Sequence, residues 1–257
     1  MLSQRIRTML QKNLSRERRD KLKSFGQRHR SINRFFRSDL ASLAILHKTD
    51  KYSHDYIIHY QRHFQPVRRL PLNLLEIGVG GYDDPKHGGH SLRMWKDYFP
   101  NANIYAIDLY DKSALQEPRI RIFQGSQADP EFLKRVAGEI GRLDIVIDDG
   151  SHVNEHVIVS FQTLFPLLAD NGIYAIEDLH TAYLPEFGGS HDLDCQSTSI
   201  AMCKRLIDGL NWEQIPDHEP SYFDQHIASL HYYTKLAIIY KGIDKQHSNG
   251  SGCTCPK

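Results

Sequence analysis

The sequence predicts an α/β protein with a doubly wound, mostly parallel sheet that closes with an antiparallel hairpin. Short apolar runs alternate with helical patterns from Leu72 onward, and most of these runs end in glycine or acidic residues. Two further apolar runs near the end of the chain follow each other with almost no gap. Strands that alternate with helices are joined by crossovers and are therefore parallel, whereas two adjacent strands form a hairpin. The length of 257 residues suits one large domain with additional segments.

Residues 1–37 form a basic arm, with 12 Lys/Arg against 2 Asp/Glu, although the whole chain has a formal net charge of only +1. Apolar side chains at helical spacing in the arm predict an amphipathic helix. Such a helix is either solvated or packs against another subunit, or it contacts an acidic membrane surface or partner weakly. No aromatic and basic groove pattern accompanies it, so nucleic acid is not expected as a partner. We expect a homo-oligomer.

Cysteine use and hydropathy predict a cytoplasmic protein. Its four cysteines are too few and too clustered for a disulfide framework. No stretch approaches the roughly 20 apolar residues of a membrane span, and arginines interrupt the N-terminal apolar residues where a signal peptide would need a continuous run. Residues 243–257, which include Cys253 and Cys255, have the polar composition of a disordered tail.

Residues 38–71 are predicted to form a helical lid segment in front of the main domain, residues 72–242. Leu40, Leu43 and Ala44 form an apolar stripe, which polar residues between 47 and 56 interrupt. Pro66 and Pro71 then mark the boundary with the main domain.

The main domain divides into alternating strands and helices. The apolar runs predict parallel strands at 73–77, 103–107, 119–123, 143–147 and 172–176, and a hairpin at 227–233 and 236–240. Helices are predicted from Ser91, as the capping residue, to Phe99, over 130–140 with Asp129 as the cap, and over 153–168. Five parallel strands and a hairpin make a seven-stranded sheet.

Polar residues at the ends of the first three strands predict a nucleoside site, because ligands of open parallel sheets bind beyond the carboxyl ends of the strands. Gly78 and Gly80 allow a sharp turn and close approach of a ligand, although a Gly-x-Gly pair can also be an ordinary tight turn. Glu76 on the strand disfavours a phosphate and suits a cationic ligand. Asp108 is placed to bind ribose hydroxyls, and Gln127 is placed near an adenine or in a surface loop. A positively charged nucleoside without pyrophosphate fits this pattern, namely S-adenosylmethionine.

Two acidic clusters, at the ends of the fourth and fifth strands, predict a metal site. Asp149, Glu177 and Asp178 should converge at one edge of the sheet, where they would repel each other without a cation between them. Carboxylates suit Mg²⁺ or Mn²⁺. His152 follows three residues after Asp149, and its ordinary pKa of about 6.5 suits a general base at neutral pH.

Each of these residues also has a purely structural interpretation. Asp149 can cap the helix that begins near Val153, Glu177 and Asp178 can lie in a solvated loop, and His152 can be a hydrogen-bonded loop histidine. Asp148 is expected in a loop or at a helix cap. The combination at matched strand ends favours the functional interpretation.

The chain contains a distinctive set of segments: residues 75–85, from Leu-Glu-Ile-Gly to Asp-Asp-Pro, residues 88–95, and the Asp149–His152 and Glu177–Asp178 clusters. This set resembles a known family, the metal-dependent sugar O-methyltransferases of the macrolide (mycinamicin) and methylmannose type. It implies a Rossmann-like class I methyltransferase fold. It also implies a Mg²⁺ ion on Asp149, Glu177 and Asp178, with His152 as the base.

The resemblance extends to the cofactor. Residues 49–60 resemble the family's lid segment beside S-adenosylmethionine, so Thr49 and Tyr56 are expected to contact the cofactor, as are Ser91 and Asp149. The expected acceptor is a sugar or a glycosylated natural product, one hydroxyl of which is polarised by the metal and deprotonated by His152. The alternatives are a catechol-type O-methyltransferase, a non-catalytic cofactor-binding partner of another enzyme, and a nicotinamide oxidoreductase, which the missing third spaced glycine disfavours.

Overall fold

The computed structural model describes residues 39–242, which form two compact units. One unit comprises residues 39–69 with 93–100, and the other comprises residues 70–92 with 101–242. The predicted basic arm and the predicted C-terminal tail lie outside the described residues. Within the described part of the chain, none of the helices combines the length and the apolar composition that crossing a bilayer requires.

The first unit contains helices α1 (Leu40–His47) and α2 (Tyr56–Phe64), with a 3₁₀ turn at Asp50–Tyr52 between them. An aromatic cluster holds it together, in which the Trp95 ring packs edge-on against Tyr60, 5.2 Å between centroids, and against Phe64, 5.6 Å. Gln61 joins its parts by polar contacts, because its side chain accepts from the Leu40 N–H at 2.8 Å and donates to the Tyr98 hydroxyl at 3.1 Å. The polar residues predicted to interrupt the helical segment include the short 3₁₀ turn between α1 and α2.

The second unit contains a seven-stranded sheet with the strand order β3-β2-β1-β4-β5-β7-β6. Strands β1 to β5 are parallel, β7 pairs antiparallel with β5, and β6 pairs antiparallel with β7. The strands are β1 (Asn73–Ile77), β2 (Asn103–Asp108), β3 (Ile120–Gln124), β4 (Leu143–Asp148), β5 (Leu168–Ile176), β6 (Ile227–Tyr233) and β7 (Leu236–Lys241). The predicted fold class, a mostly parallel sheet with an antiparallel C-terminal hairpin, is confirmed.

The helices that follow along the chain are α3 (His90–Tyr98), α4 (Pro130–Ile140), α5 (Asn154–Leu164), α6 (Ser199–Gly209) and α7 (Tyr222–His226). The start of α4 agrees with the predicted cap, because the Asp129 carboxylate accepts from the Glu131 and Phe132 N–H groups. One face of the sheet is covered by an apolar core that includes Leu133 and Val136 of α4 and Phe161 of α5.

Several boundaries differ from the sequence predictions: β2, β4 and β7 each extend one residue further, β3 is shifted by one residue, and α3, α5 and β5 differ as follows. Ser91 is not the cap of α3, because the helix already includes His90. The helix predicted for 153–168 ends at Leu164 as an α-helix, because Pro166 lies in the 3₁₀ turn that follows it. Strand β5 begins at Leu168 rather than at Gly172, and its pairing with β4 shifts register between Leu143 and Ile145.

Candidate functional site

The loop after β1 is fixed at the carboxyl edge of the sheet by the end of β2. The Gly78 N–H donates to the Ile107 carbonyl at 2.8 Å, and the Val79 N–H donates to Asp108 Oδ2 at 2.9 Å. Gly78 and Gly80 have φ values of +97° and +76°, a region that glycine enters without steric cost. Since β1 lies between β2 and β4, this loop is at the point where the strand order reverses, which is the usual ligand crevice of such sheets.

Glu76 and Ser91 lie together beneath this loop. Glu76 is the fourth residue of β1 and is completely buried. The Ser91 hydroxyl donates to Glu76 Oε2 at 2.9 Å. A buried carboxyl group at this place suits a cationic ligand better than a phosphate.

An acid–histidine cluster follows β4 and β5, as the sequence predicts. His152 Nε2 lies 3.6 Å from Asp178 Oδ2 and 3.9 Å from Asp149 Oδ1. One ligand atom from each of the three residues lies within 4.8 Å of the others, and all three side chains are partly buried. The two carboxylates offer oxygen donors, which suit a hard divalent cation such as Mg²⁺ or Mn²⁺. The imidazole lies beside them and is available as a base.

Glu177 is not part of this three-residue group. It follows β5 directly, its side chain is 3% exposed, and its N–H donates to the Asp148 carbonyl at 2.9 Å. This hydrogen bond continues the pairing of β4 and β5 for one more residue. The predicted ligand set of Asp149, Glu177 and Asp178 therefore stays a prediction.

The two loops of the cluster are held in an uncommon backbone conformation. His152 has φ +58° and Asp178 has φ +51°, both in the left-handed region that non-glycine residues seldom occupy. Thr181 fixes both loops, because its hydroxyl donates to the His152 carbonyl at 3.0 Å and its N–H donates to the Asp178 carbonyl at 3.0 Å. Strained residues of this kind persist where the surroundings over-determine them, and they cluster at functional sites.

Asp148 lies beneath the cluster, and its expected place in a loop or at a helix cap is wrong. It is the last residue of β4, is 2% exposed, and accepts hydrogen bonds from the Ser160 hydroxyl and from Gln127 Nε2. Burial raises its pKa to about 6, while the hydrogen bond from Ser160, the charge of His152 and the hydrogen bonds from Gln127 and the Gly150 N–H act in the opposite direction. Strand β4 extends one residue further than predicted, which turns Asp148 into the interior.

Gln127 connects this buried carboxylate to the loop above it. Besides donating to Asp148 at 3.1 Å, it accepts from the Ser151 N–H at 2.7 Å through Oε1. A Cβ atom on Gly150 would lie 2.0 Å from the same Oε1, so a larger residue there would displace the Gln127 side chain. The predicted contact of Gln127 with adenine stays a prediction, and its supporting role under residues 149–152 was not predicted.

Two further residues of the site were missed in the sequence. Asn154, 1% exposed, donates to the Thr181 and Phe187 carbonyls and accepts from the Ser199 N–H, so it joins the start of α5 to two later segments. His180 Nδ1 lies 3.8 Å from Asp178 Oδ1. The position of His180 two residues after an acidic cluster could have indicated it, whereas nothing local distinguishes Asn154 from a helix cap.

Thr49 and Tyr56, the two cofactor residues expected in the lid segment, lie in the first unit. Thr49 is 8% exposed, and Tyr56 is completely buried with its ring edge-on to His54 at 5.5 Å. Their expected contact with the cofactor stays a prediction.

Comparisons with known proteins agree with the fold and the resemblance. The mycinamicin VI 2''-O-methyltransferase of Micromonospora griseorubida is 47% identical over 210 residues, which are 79% of this chain and 53% of that protein. An O-methyltransferase of Streptomyces olivaceus that acts on the 2'-position of 8-demethyl-8-alpha-L-rhamnosyl tetracenomycin-C is 45% identical over 214 residues, 81% of this chain and 56% of the relative. No protein-family model matches the sequence.

A solved structure is also similar to this chain. The MycE methyltransferase of mycinamycin biosynthesis, in complex with Mg, SAH and mycinamycin VI, has a TM-score of 0.78 at 47% identity, covering 81% of this chain and 54% of that chain. The described residues thus have the fold of a class I methyltransferase. By sequence and by fold, the chain is a homologue of the sugar O-methyltransferases. It spans about half the length of the curated relatives that it matches.

Proposed function

We propose that the protein is an S-adenosylmethionine- and Mg²⁺-dependent O-methyltransferase, with Mn²⁺ as an alternative metal, that acts on a hydroxyl of a sugar or glycosylated natural product. The observation that carries this proposal is the meeting of Asp149, His152 and Asp178 at the sheet edge, in a chain 47% identical to a sugar O-methyltransferase. We assign the acceptor to the same class as those relatives, and the protein to the cytoplasm as a homo-oligomer.

The proposed cofactor site is the crevice beyond β1 and β2. Gly78 and Gly80 allow the ligand to approach the backbone closely, and Asp108 lies at the end of β2 to receive ribose hydroxyls. Glu76, held by the Ser91 hydroxyl, supplies the acidic group for the positively charged ligand. Thr49, Tyr56, Gln127 and Asp149 complete the proposed contacts.

The proposed chemistry places His152 as the general base. Its Nε2 takes the proton of the acceptor hydroxyl, the oxygen forms a bond to the methyl carbon, and the carbon–sulfur bond breaks with its electron pair moving to sulfur. The carboxylate oxygens of Asp178 and Asp149 lie 3.6 and 3.9 Å from Nε2, so the proposed base lies beside the residues that would hold the cation. A divalent cation on Asp149, Asp178 and Glu177 would supply positive charge that makes the hydroxyl more acidic. Collinear positioning of the acceptor oxygen, the methyl carbon and the sulfur supplies much of the remaining reduction of the activation barrier.

The test is a methyl-transfer assay with labelled S-adenosylmethionine. Sugar acceptors and vicinal aromatic diols are compared, each with Mg²⁺ and with EDTA. We expect transfer to a sugar acceptor only, abolition by EDTA and recovery when Mg²⁺ is restored. Turnover of aromatic diols would instead favour the catechol-type alternative, and turnover only after a second protein is added would favour the non-catalytic partner.

His152 is tested by replacement. His152→Ala should lower kcat by about 10² to 10⁴ while calorimetry shows unchanged binding of S-adenosylhomocysteine. His191→Ala, at an exposed position outside the cluster, is the matched control and should keep full activity. Full activity of wild-type protein in EDTA, or of His152→Ala, would contradict the mechanism.

A further inference from the structure

We propose that Lys112 is a positioning residue of the cofactor site. Its buried ammonium group holds the loop of residues 80–89, here called the β1 loop, in the conformation that borders the crevice beyond β1. This inference rests on the proposed function for what the crevice binds, whereas the contacts that hold the loop are independent of that function.

The ammonium group of Lys112 is directed into the β1 loop. The residue is 1% exposed, and Nζ donates to the Asp84 carbonyl at 2.8 Å and to the His87 carbonyl at 3.1 Å. Removing an ammonium ion from water is costly unless polar groups replace its hydration. Both carbonyl groups that do so belong to the β1 loop, so the buried charge is stabilised only while the loop keeps its shape.

The loop closes on itself around these carbonyl groups. Gly81 and Gly88 have φ values of +81° and +116°. A Cβ at position 81 would lie 2.2 Å from the His87 carbonyl oxygen, and one at position 88 would lie 2.3 Å from the Gly80 carbonyl oxygen. The Gly89 N–H returns to the Val79 carbonyl at 2.7 Å. The backbone is thus in contact with itself at the base of the loop, and the Asp84 and His87 carbonyl groups from within the loop accept from Lys112.

The position of Lys112 after the end of β2 connects its contacts with the β1 loop to the crevice. The β1 loop begins at Gly80, directly after the turn at the carboxyl end of β1, and Lys112 lies four residues beyond the end of β2. Lys112 therefore ties the segment after β1 to the segment after β2, alongside the Val79–Asp108 hydrogen bond. No residue of the proposed catalytic cluster takes part in this contact, so loss of Lys112 should change ligand binding rather than the base.

Lys241 offers a matched control with the same chemistry elsewhere in the sheet. It is 6% exposed, and its Nζ donates to the Pro166 and Leu168 carbonyls, both at 2.7 Å. These acceptors lie at the start of β5, at the edge opposite the crevice. Replacing either lysine by methionine removes a buried cation with two carbonyl partners, but only one replacement affects the β1 loop.

The first experiment measures binding of S-adenosylhomocysteine by calorimetry. We expect Lys112→Met to raise Kd about tenfold or more, which corresponds to about 1.4 kcal/mol, while Lys241→Met, which loses a similar number of hydrogen bonds, keeps the wild-type Kd. Thermal unfolding of both variants establishes that each is folded. If Lys112→Met does not fold, Lys112→Gln, which keeps a donor on a shorter side chain, is measured in the same way.

The second experiment needs no ligand. Lys86 is exposed in the β1 loop, and trypsin cuts after lysine. Cleavage after Lys86 should be slow in the wild type and in Lys241→Met and should accelerate in Lys112→Met, as measured by mass spectrometry of the fragments. Wild-type Kd together with wild-type cleavage in the Lys112 variants would overturn the proposal. If wild-type protein binds no S-adenosylhomocysteine, the proposed function fails. The role of Lys112 in fixing the β1 loop is then tested only by the rate of cleavage after Lys86.

Discussion

Gln127 illustrates at the residue scale how one side chain can support a whole loop. Its amide donates to the buried Asp148 carboxylate and accepts from the Ser151 N–H, so it connects the end of β4 to the loop that carries Asp149 and His152. Both ends of the amide are used, which fixes its orientation. The precise placing of the proposed ligands therefore depends on a residue that follows a different strand.

Removal of the Gln127 amide should destabilise the protein. Gln127→Ala leaves a buried carboxylate and a loop N–H without this partner, and we expect it to lower the free energy of unfolding by about 1–3 kcal/mol. Urea titration measures this change. Gln124→Ala is the control, because Gln124 is exposed and donates only to the Leu109 carbonyl at 3.4 Å. Equal stability of the two variants would contradict the supporting role.

The sequence predicted that Asp149, His152 and Asp178 lie close together, but not the hydrogen bonds that support them. Asp149, His152 and Asp178 could be placed at one edge because each follows a buried parallel strand. The pairing of Gln127 with Asp148 depends on where β4 ends, and the end of a strand is not encoded by hydrophobic periodicity to within one residue. The expected loop position of Asp148 was wrong for that reason.

At the scale of the element, the turn after β1 requires glycine for two different reasons. A Cβ on Gly78 would lie 2.1 Å from the Asp149 carbonyl oxygen, whereas a Cβ on Gly80 would have nothing within 4 Å. Both residues have positive φ. A side chain at position 78 is therefore disfavoured by a steric clash and by the positive φ. A side chain at position 80 is disfavoured by the positive φ alone.

Alanine substitutions should separate these two costs. Gly80→Ala should lower the free energy of unfolding by about 1–2 kcal/mol, the cost of a left-handed conformation for a residue with a Cβ. Gly78→Ala should cost clearly more, because the β1 turn and the loop after β4 must also move apart. Chemical denaturation of both variants measures the difference, and a Gly78→Ala variant as stable as Gly80→Ala would be inconsistent with the close approach.

Most elements could be predicted because their apolar runs are clear and end in polar residues. The bounds of β1, β6 and α4 agree with prediction, and Asp129 with the following proline marks the start of α4 unambiguously. The early start of β5 was missed because Asp170 and Asn171 interrupt its apolar pattern where the register shifts. A strand irregularity of this kind leaves no periodic signal.

At the scale of the whole molecule, the fold class followed from the alternation of strands and helices, and the identities of 45–47% confirm the resemblance to sugar O-methyltransferases. The strand order was harder to predict. Sequence order suggests that β6 would pair with β5, but β7 takes that place and β6 forms the edge. Two strands of a hairpin can dock in either order, and the choice depends on packing that a single sequence does not display.

Binding of the proposed metal should stabilise the whole molecule by mass action. Mg²⁺ at about 100 times its Kd should add about 2.7 kcal/mol to the free energy of unfolding, which a thermal scan detects as a higher Tm. Asp178→Asn should abolish the increase without unfolding the protein, because asparagine tolerates the left-handed conformation at φ +51°.

Asp217→Asn is the control for this experiment, since Asp217 is exposed and also has a positive φ, +58°. It should respond to Mg²⁺ as the wild type does. An unchanged Tm of wild-type protein across the Mg²⁺ titration would refute a metal site at this edge.

The internal position of β7 has a consequence for synthesis on the ribosome. The Leu179 N–H donates to the Lys235 carbonyl in the turn that precedes β7, at 3.0 Å, so one of the hydrogen bonds that hold the segment after Asp178 forms only once that turn exists. Domains fold as their residues emerge, at about 5–20 residues per second. Until β7 has emerged, the nascent chain therefore exposes the unpaired flank of β5, next to the acidic edge where we propose the metal site.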